Sequence, residues 1–249
     1  MLNDEILSLE VTNQSRLIMT DETQNKIDYH YSLIANVINR DSRAKIKDIK
    51  DYRELIDKTL RPLDEKYTNR YKAEENDDHE TIAILNNITR RIHYSRHNEI
   101  LIKTLVLSIF STFESIFVSA STFIIAINEQ TENFKKEIKT TKYRFKKNIT
   151  RHKLFLTRFG IELNPKHWHL IENLSNLRNI IAHADCQITD EYKNTAKTLA
   201  NSSTHIHNKK YWLDIDAAYI DEIIPIVEST LSLFQKQILK LPPLKSRAE

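Results

Sequence analysis

An all-α fold is what this sequence predicts, on three grounds. Apolar residues recur at three- and four-residue steps over most of the chain, which is the period of an amphipathic helix. The 249 residues include one glycine and five prolines. A β-fold of this size needs glycine or Asn-Gly at most of its hairpins, so long helices with few connections remain. Finally, 40% of residues are hydrophobic and 29% charged, a balance that packs a core rather than staying disordered. A single glycine also rules out GxGxxG and P-loop phosphate cradles.

Taken in order, residues 1 to about 20 show no clean period. From Asp21 onward, Ile27, Tyr31, Ile34 and Ile38 mark a first helix. Asp41-Ser42 reads as a break with a cap. Ile46, Ile49, Tyr52, Leu55, Ile56 and Leu60 mark a second helix, and Pro62 a stop or a first turn. Residues 64–80 are highly charged and read as a loop or a poorly packed helix end.

Residues 81–127 carry a long helical signal, and Leu105–Ile127 is the most apolar stretch of the chain. It is long enough to span a bilayer. Glu114 near its centre is costly in lipid. Ser108, Ser111, Thr112, Ser115, Ser119 and Thr122 form a small-residue face suited to close helix packing, and no second span follows. The expectation is a buried core helix and no membrane.

Residues 130–158 are strongly basic, with Phe134, Tyr143, Phe145 and Phe155 interleaved. Two readings stay open. Lys142, Arg144, Lys146, Lys147, Arg151 and Lys153 contact RNA phosphates while the aromatics stack on bases, or the segment is a solvated basic face with its aromatics in the core. Gly160 punctuates the chain. Asn164-Pro165 then starts a helix over 166–184, with Pro165 suited to its first turn. Residues 185–212 are polar and read as a loop. Residues 216–241 form a last amphipathic helix, ended by Pro242-Pro243.

The net charge of +3 decides little. Cys186 has no second cysteine for a disulfide or a zinc cluster, and Asp185 beside it disfavours a thiolate. The HxH pairs His167/His169 and His205/His207 lie in different elements, so no metal and no other cofactor is expected. The start, MLNDEILSLE, lacks a basic n-region, which makes the cytoplasm the expected compartment.

The chemistry concentrates in LIENLSNLRNIIAHAD at 170–185. On a helix, Leu170, Leu174, Leu177, Ile181 and Ala184 form a core stripe. Glu172, Asn176, Asn179 and His183 share the opposite side, with Asn179 and His183 one turn apart. Arg178 lies between the faces and reaches toward His183, beside the small Ala182. A guanidinium holds two phosphate oxygens and stabilises developing charge. An imidazole moves a proton near neutral pH. With no carboxylate cluster, this set suits metal-independent RNA cleavage by the ribose 2′-OH, leaving a 2′,3′-cyclic phosphate. The competing reading is a polar helix face with solvated Asn and His.

Arg178-Asn179-Ile180-Ile181-Ala182-His183 resembles the RNxxxH form of the motif of HEPN domains. The LSIFSTFESIF helix resembles the acidic-residue-bearing helix beside that motif, and WLDIDAAYIDEII the closing helix of the bundle. The resemblance implies a HEPN-type helical bundle over 95–249, with 1–94 an additional N-terminal helical region. It implies a metal-independent endoribonuclease, a toxin or phage-defence effector, that acts on RNA as a homodimer with a composite site. Arg178, Asn179 and His183 would be catalytic, joined by Glu114, which could equally be a buried carboxylate paired with Arg178. An antitoxin or defence-complex protein is a further implied partner. Where many members carry a small or glycine residue shortly after the His, this chain has Ala184-Asp185-Cys186, and Asp185 is expected to weaken phosphate binding nearby. The alternative within the family is an inactive scaffold or regulatory subunit.

Overall fold

The two longest periodic stretches become two long helices, and the other described elements pack around them. The computed structural model describes residues 29–74, 81–128 and 130–241, and for residues 60–61, 63–74 and 81–95 the backbone alone. The aperiodic start, Ile27, residues 75–80 and Pro242-Pro243 lie outside the described residues.

Helix α1 spans Tyr29–Glu74. It buries Tyr31, Ile34, Ile38, Ile46, Ile49 and Ile56 along one stripe. The break expected at Asp41-Ser42 does not occur. Ser42 Oγ donates to the Asn39 carbonyl at 3.2 Å, and Asp41 accepts from Arg40 Nε at 3.0 Å. Residues that can cap a helix can equally bond within one. Nor does Pro62 stop the helix. It costs one backbone hydrogen bond, but it stands on an exposed face where water can take the freed carbonyl.

Helix α2 spans Thr81–Ile127 and is the central strut, packing on α1 and on four later helices. It buries Leu105, Val106, Ile109, Phe110, Phe113, Ile116, Phe117 and Ile124. Its Arg96–Ile127 part is long and apolar enough to cross a membrane, and half of its most apolar stretch is buried inside the fold. The small-residue face is corrected. Ser111, Ser115, Ser119 and Thr122 point to solvent, and Ser108 and Thr112 are half-buried. The buried hydroxyl is Ser121, which donates to the Phe117 carbonyl at 2.5 Å.

The basic stretch forms three short helices: α3 (Thr131–Glu137), α4 (Thr141–Arg144) and α5 (Asn148–Leu156). A single 3₁₀ turn, Thr157–Phe159, ends at Gly160, whose φ of 75° is the left-handed value glycine adopts freely. Helix α6 is Pro165–Ala184. Its start is capped as the sequence indicates: Asn164 Oδ1 accepts from the Lys166 and His167 amides at 2.9 and 3.3 Å, with Pro165 next.

Much of 185–212 is not the loop expected from its polarity. Helix α7 (Lys193–Ser202) buries Ala196 and Leu199. Strand β1 (Ile206–Asn208) then pairs antiparallel with β2 (Leu213–Ile215). One or two buried residues per short element are too little apolar signal to stand out in a sequence. Helix α8 (Ala218–Ile238) closes the fold.

One core joins α1, α2, α5, α6, α7, the hairpin and α8. Phe117 meets Trp168 of α6 at 5.4 Å and Phe234 of α8 at 4.8 Å between ring centroids. The buried isoleucines of α1 belong to the same cluster. The 94/95 division therefore falls inside the continuous α2, and the N-terminal helix shares one core with the bundle.

Candidate active site

Burial along α6 follows the two-sided pattern and widens it. Leu174, Leu177 and Ile181 are buried, as are Trp168, Ile171, Ser175 and Ile180. Leu170 and Ala184 are only half-buried. On the opposite side Glu172, Asn176 and Asn179 are half-buried and His183 is exposed. Arg178 is half-buried, and its Nη1 donates to Asn179 Oδ1 at 3.1 Å. The guanidinium is thus held at the flank of the outer face, with Asn179 between it and His183.

The end of α6 is built unusually. Asp185 and Cys186 both adopt positive φ, 48° and 67°. Such conformations cost non-glycine residues about 1–3 kcal/mol each, and surrounding contacts must hold them. Backbone bonds from Asp185 N to Ile181 O (3.1 Å) and Cys186 N to Ile180 O (3.4 Å) end the helix as a left-handed cap. Lys103, reaching from α2, donates to the Asp185 carboxylate at 2.9 Å and to its carbonyl at 3.2 Å. The same ammonium meets Glu99 Oε1 at 2.5 Å. Burial pushes the Lys103 ammonium down, but the hydrogen bonds to Asp185 and Glu99 outweigh it, and the net shift is upward. Asp185 is therefore not the uncompensated negative charge the sequence suggested. Cys186 is buried, and burial first of all pushes its thiol up to about 11.

Glu114 is half-buried on the face of α2 that also carries Phe110, Phe117 and Ser121. Among the described residues it makes no hydrogen bond or ion pair, so the pairing with Arg178 weighed above is absent. Helices α2 and α6 run antiparallel: Lys103 meets Asp185 at one end, and Phe117 meets Trp168 at the other. Glu114 stands eleven residues after Lys103, about 16 Å along α2 at helical rise. It stands level with the middle of α6 and well short of His183 along the helix axis.

The basic segment splits. Lys142, Arg144 and Lys146 are exposed. Lys147 turns inward: its Nζ donates to Asn176 Oδ1 and to the Glu172 carbonyl, the latter at 3.3 Å. Burial lowers the affinity of Lys147 for its proton, with Glu172 opposing. Arg151 donates to the carbonyls of Tyr143 (3.0 Å) and Arg144 (2.8 Å), which pins α4 to α5. Lys153 lies over the Trp168 ring at 4.6 Å, and burial lowers its pKa too. Of the interleaved aromatics, Tyr143 and Phe155 are buried, Phe134 is half-buried and Phe145 is 84% exposed.

Glu172 ties this together, accepting from Trp168 Nε1 at 2.9 Å and Thr150 Oγ1 at 3.2 Å. The outer face of α6 therefore divides. Its first half, Glu172 and Asn176, anchors the basic segment. Its second half, Asn179 and His183 with Arg178, faces outward. The HxH histidines are spread out: His167 meets Ser229 Oγ at 3.0 Å, His169 meets Asn173 at 3.3 Å and His207 meets Asp216 at 2.9 Å. No group of three His, Cys, Asp or Glu side chains in metal-ligand range occurs among the described residues.

Sequence reasoning missed Lys103 and the β-hairpin. Lys103 had one visible signal, a lone cation at the head of an apolar run. Comparison with protein-family models, with curated proteins and with solved structures finds no match to this chain.

Proposed function

We propose that this chain is a metal-independent endoribonuclease of HEPN type, acting in the cytoplasm as a toxin or phage-defence effector. The observation that carries the reading is the exposed second half of α6. There His183 stands one turn beyond Asn179, and Asn179 holds the Arg178 guanidinium at 3.1 Å. The remaining N–H groups of Arg178 bind the non-bridging oxygens of a phosphodiester and offset the charge that builds there. The attacking 2′-oxygen forms its bond to phosphorus as the bond to the 5′-oxygen breaks. The 2′-hydroxyl loses a proton and the leaving oxygen gains one.

One imidazole performs one of these transfers at a time. A homodimer that brings two copies of α6 together supplies both, His183 for one transfer and the partner's His183 for the other. The composite site implied by the resemblance meets this chemical need. Lys142, Arg144 and Lys146 extend a cationic path toward the same helix, to which Lys147 fastens the segment. An antitoxin or a defence-complex protein is the proposed restraint on the activity.

The test is induced expression in bacteria, wild type beside His183→Ala, with total RNA resolved on a gel. Growth arrest with fragmented RNA in the wild type alone supports the enzyme. Intact RNA and normal growth in both would instead favour the inactive scaffold or regulatory subunit.

A further inference from the structure

The hairpin that the sequence concealed stands next to the motif. Its connection, Lys209-Lys210-Tyr211-Trp212, is closed by Lys209 N donating to Trp212 O at 3.0 Å. Large aromatic side chains normally go inside, yet Tyr211 is 61% and Trp212 53% exposed. Lys210 Nζ sits over the Tyr211 ring at 4.9 Å, and Lys209 and Lys210 are exposed as well. The tip is not a wandering loop. Ile188 N donates to Tyr211 O at 2.8 Å, Leu213 N donates to Cys186 O at 2.8 Å, and Gln187 bridges Trp212. Those bonds fix it to Cys186, Gln187 and Ile188, which follow the helix end that carries His183 and the cap that Lys103 holds. Two acidic residues belong to the hairpin: Asp214, exposed in the middle of β2 two residues beyond Trp212, and Asp216, which follows the strand and pairs with His207.

We propose that the tip of this hairpin is a stacking platform for unpaired bases of RNA, placed beside His183 to hold the strand next to the scissile phosphate. Exposed aromatic faces with cations between them fit single-stranded nucleic acid, because every base offers a π-face and every nucleotide a phosphate. Double-stranded RNA keeps its bases stacked inside and cannot use the site. The proposal rests on the ribonuclease reading and narrows its substrate to unpaired RNA.

The chain has two tryptophans. Trp168 is buried and Trp212 exposed, so exposed tryptophan emission reports on the tip. The experiment titrates a short single-stranded oligoadenylate, and a duplex RNA of the same length, into the full chain carrying His183→Ala. Quenching by the single strand and little response to the duplex are expected. Adding Tyr211→Ala or Trp212→Ala should weaken binding, followed by anisotropy of a labelled oligoadenylate, by roughly 5- to 150-fold. Trp212→Phe should keep most of the affinity, which separates stacking from damage to the hairpin. Exchanging Lys209 and Lys210 for glutamine should lower the log–log salt slope by roughly 1.4.

Unchanged affinity in both alanine variants, or no binding of oligoadenylate at all, would overturn the platform. If the otherwise wild-type chain still cuts RNA in that case, the ribonuclease reading stands without it. If oligoadenylate binds through Tyr211 and Trp212 but the wild type never cuts, the ribonuclease reading falls and the platform remains.

Discussion

Arg178 is the residue where charge alone is not enough. Its guanidinium gives one N–H to Asn179 and keeps others for a ligand. A lysine would keep the positive charge but offer a single point donor, unable to do both. Arg178→Lys should therefore reduce RNA cleavage by at least about 100-fold, the size of losing one preorganised donor to an oxyanion, with the circular dichroism spectrum unchanged. Cleavage by the wild type should persist in EDTA, and loss on chelation would replace the His183 mechanism with a metal-dependent one. Lys103 is a different case, a structural cation. Lys103→Met keeps the apolar stem and removes the bonds to Asp185 and Glu99. Both carboxylates are largely exposed and rehydrate once released. The expected loss is about 1–2 kcal/mol rather than that of a fully buried pair, read from urea unfolding. Cleavage should fall further than stability does, since the cap after His183 loses its anchor. A wild-type rate in a folded Lys103→Met protein would refute that link.

Individual elements differed in how far their sequence revealed them. The start of α6 was legible because capping is local: Asn164 and Pro165 act on the next few amides and on nothing distant. The same local chemistry misled at Asp41-Ser42, since a hydroxyl satisfied inside a helix spells the same letters as a cap. The basic stretch was legible as basic but not in its directions. Lys147 and Arg151 spend their donors on α6 and α4, and only tertiary packing decides that. The hairpin lacked the Gly or Asn-Gly that marks a tight turn. Burial within helix α5 has a consequence of its own kind. His152 is 4% exposed, its Nδ1 has no partner, and it packs on Phe134 at 4.8 Å. Burial first, then Arg151, lowers its pKa from 6.5 to about 4. The unfolded chain binds this proton below pH 6.5 while the folded chain refuses it until about 4. Stability is thus intact above 6.5 and lost as the pH falls through that window. Between pH 7 and 5 the loss from this group is about 2 kcal/mol. His152→Phe should flatten that part of the pH profile in urea titrations, and an unchanged profile would mean that His152 does not set it.

The molecule as a whole depends on the region that the motif resemblance left outside. The HEPN-like letters begin near residue 95, which made 1–94 look like an addition. The physical boundary is elsewhere, because a core is defined by contacts and not by motif. Ile34, Ile38, Ile46, Ile49 and Ile56 of α1 sit in one cluster with the aromatic centre of α2, α6 and α8. Two ion pairs also tie α1 to α8, Lys50 to Glu228 at 2.7 Å and Arg53 to Asp221 at 3.4 Å. Surface pairs of this kind contribute little, so the isoleucines decide the matter. Burying each is worth about 2 kcal/mol, and the five together on the order of 10 kcal/mol. That matches the entire stability of an ordinary domain, about 5–15 kcal/mol. Removing residues 1–94 should therefore leave a fragment that does not fold, with the apolar sides of α2 and α8 bare. Size-exclusion chromatography should show aggregate, and thermal melting by circular dichroism no cooperative transition. A monodisperse, cooperatively melting 95–249 fragment would instead mean that α1 is dispensable to the bundle. The candidate site would then stand on α2, α6 and α8 alone.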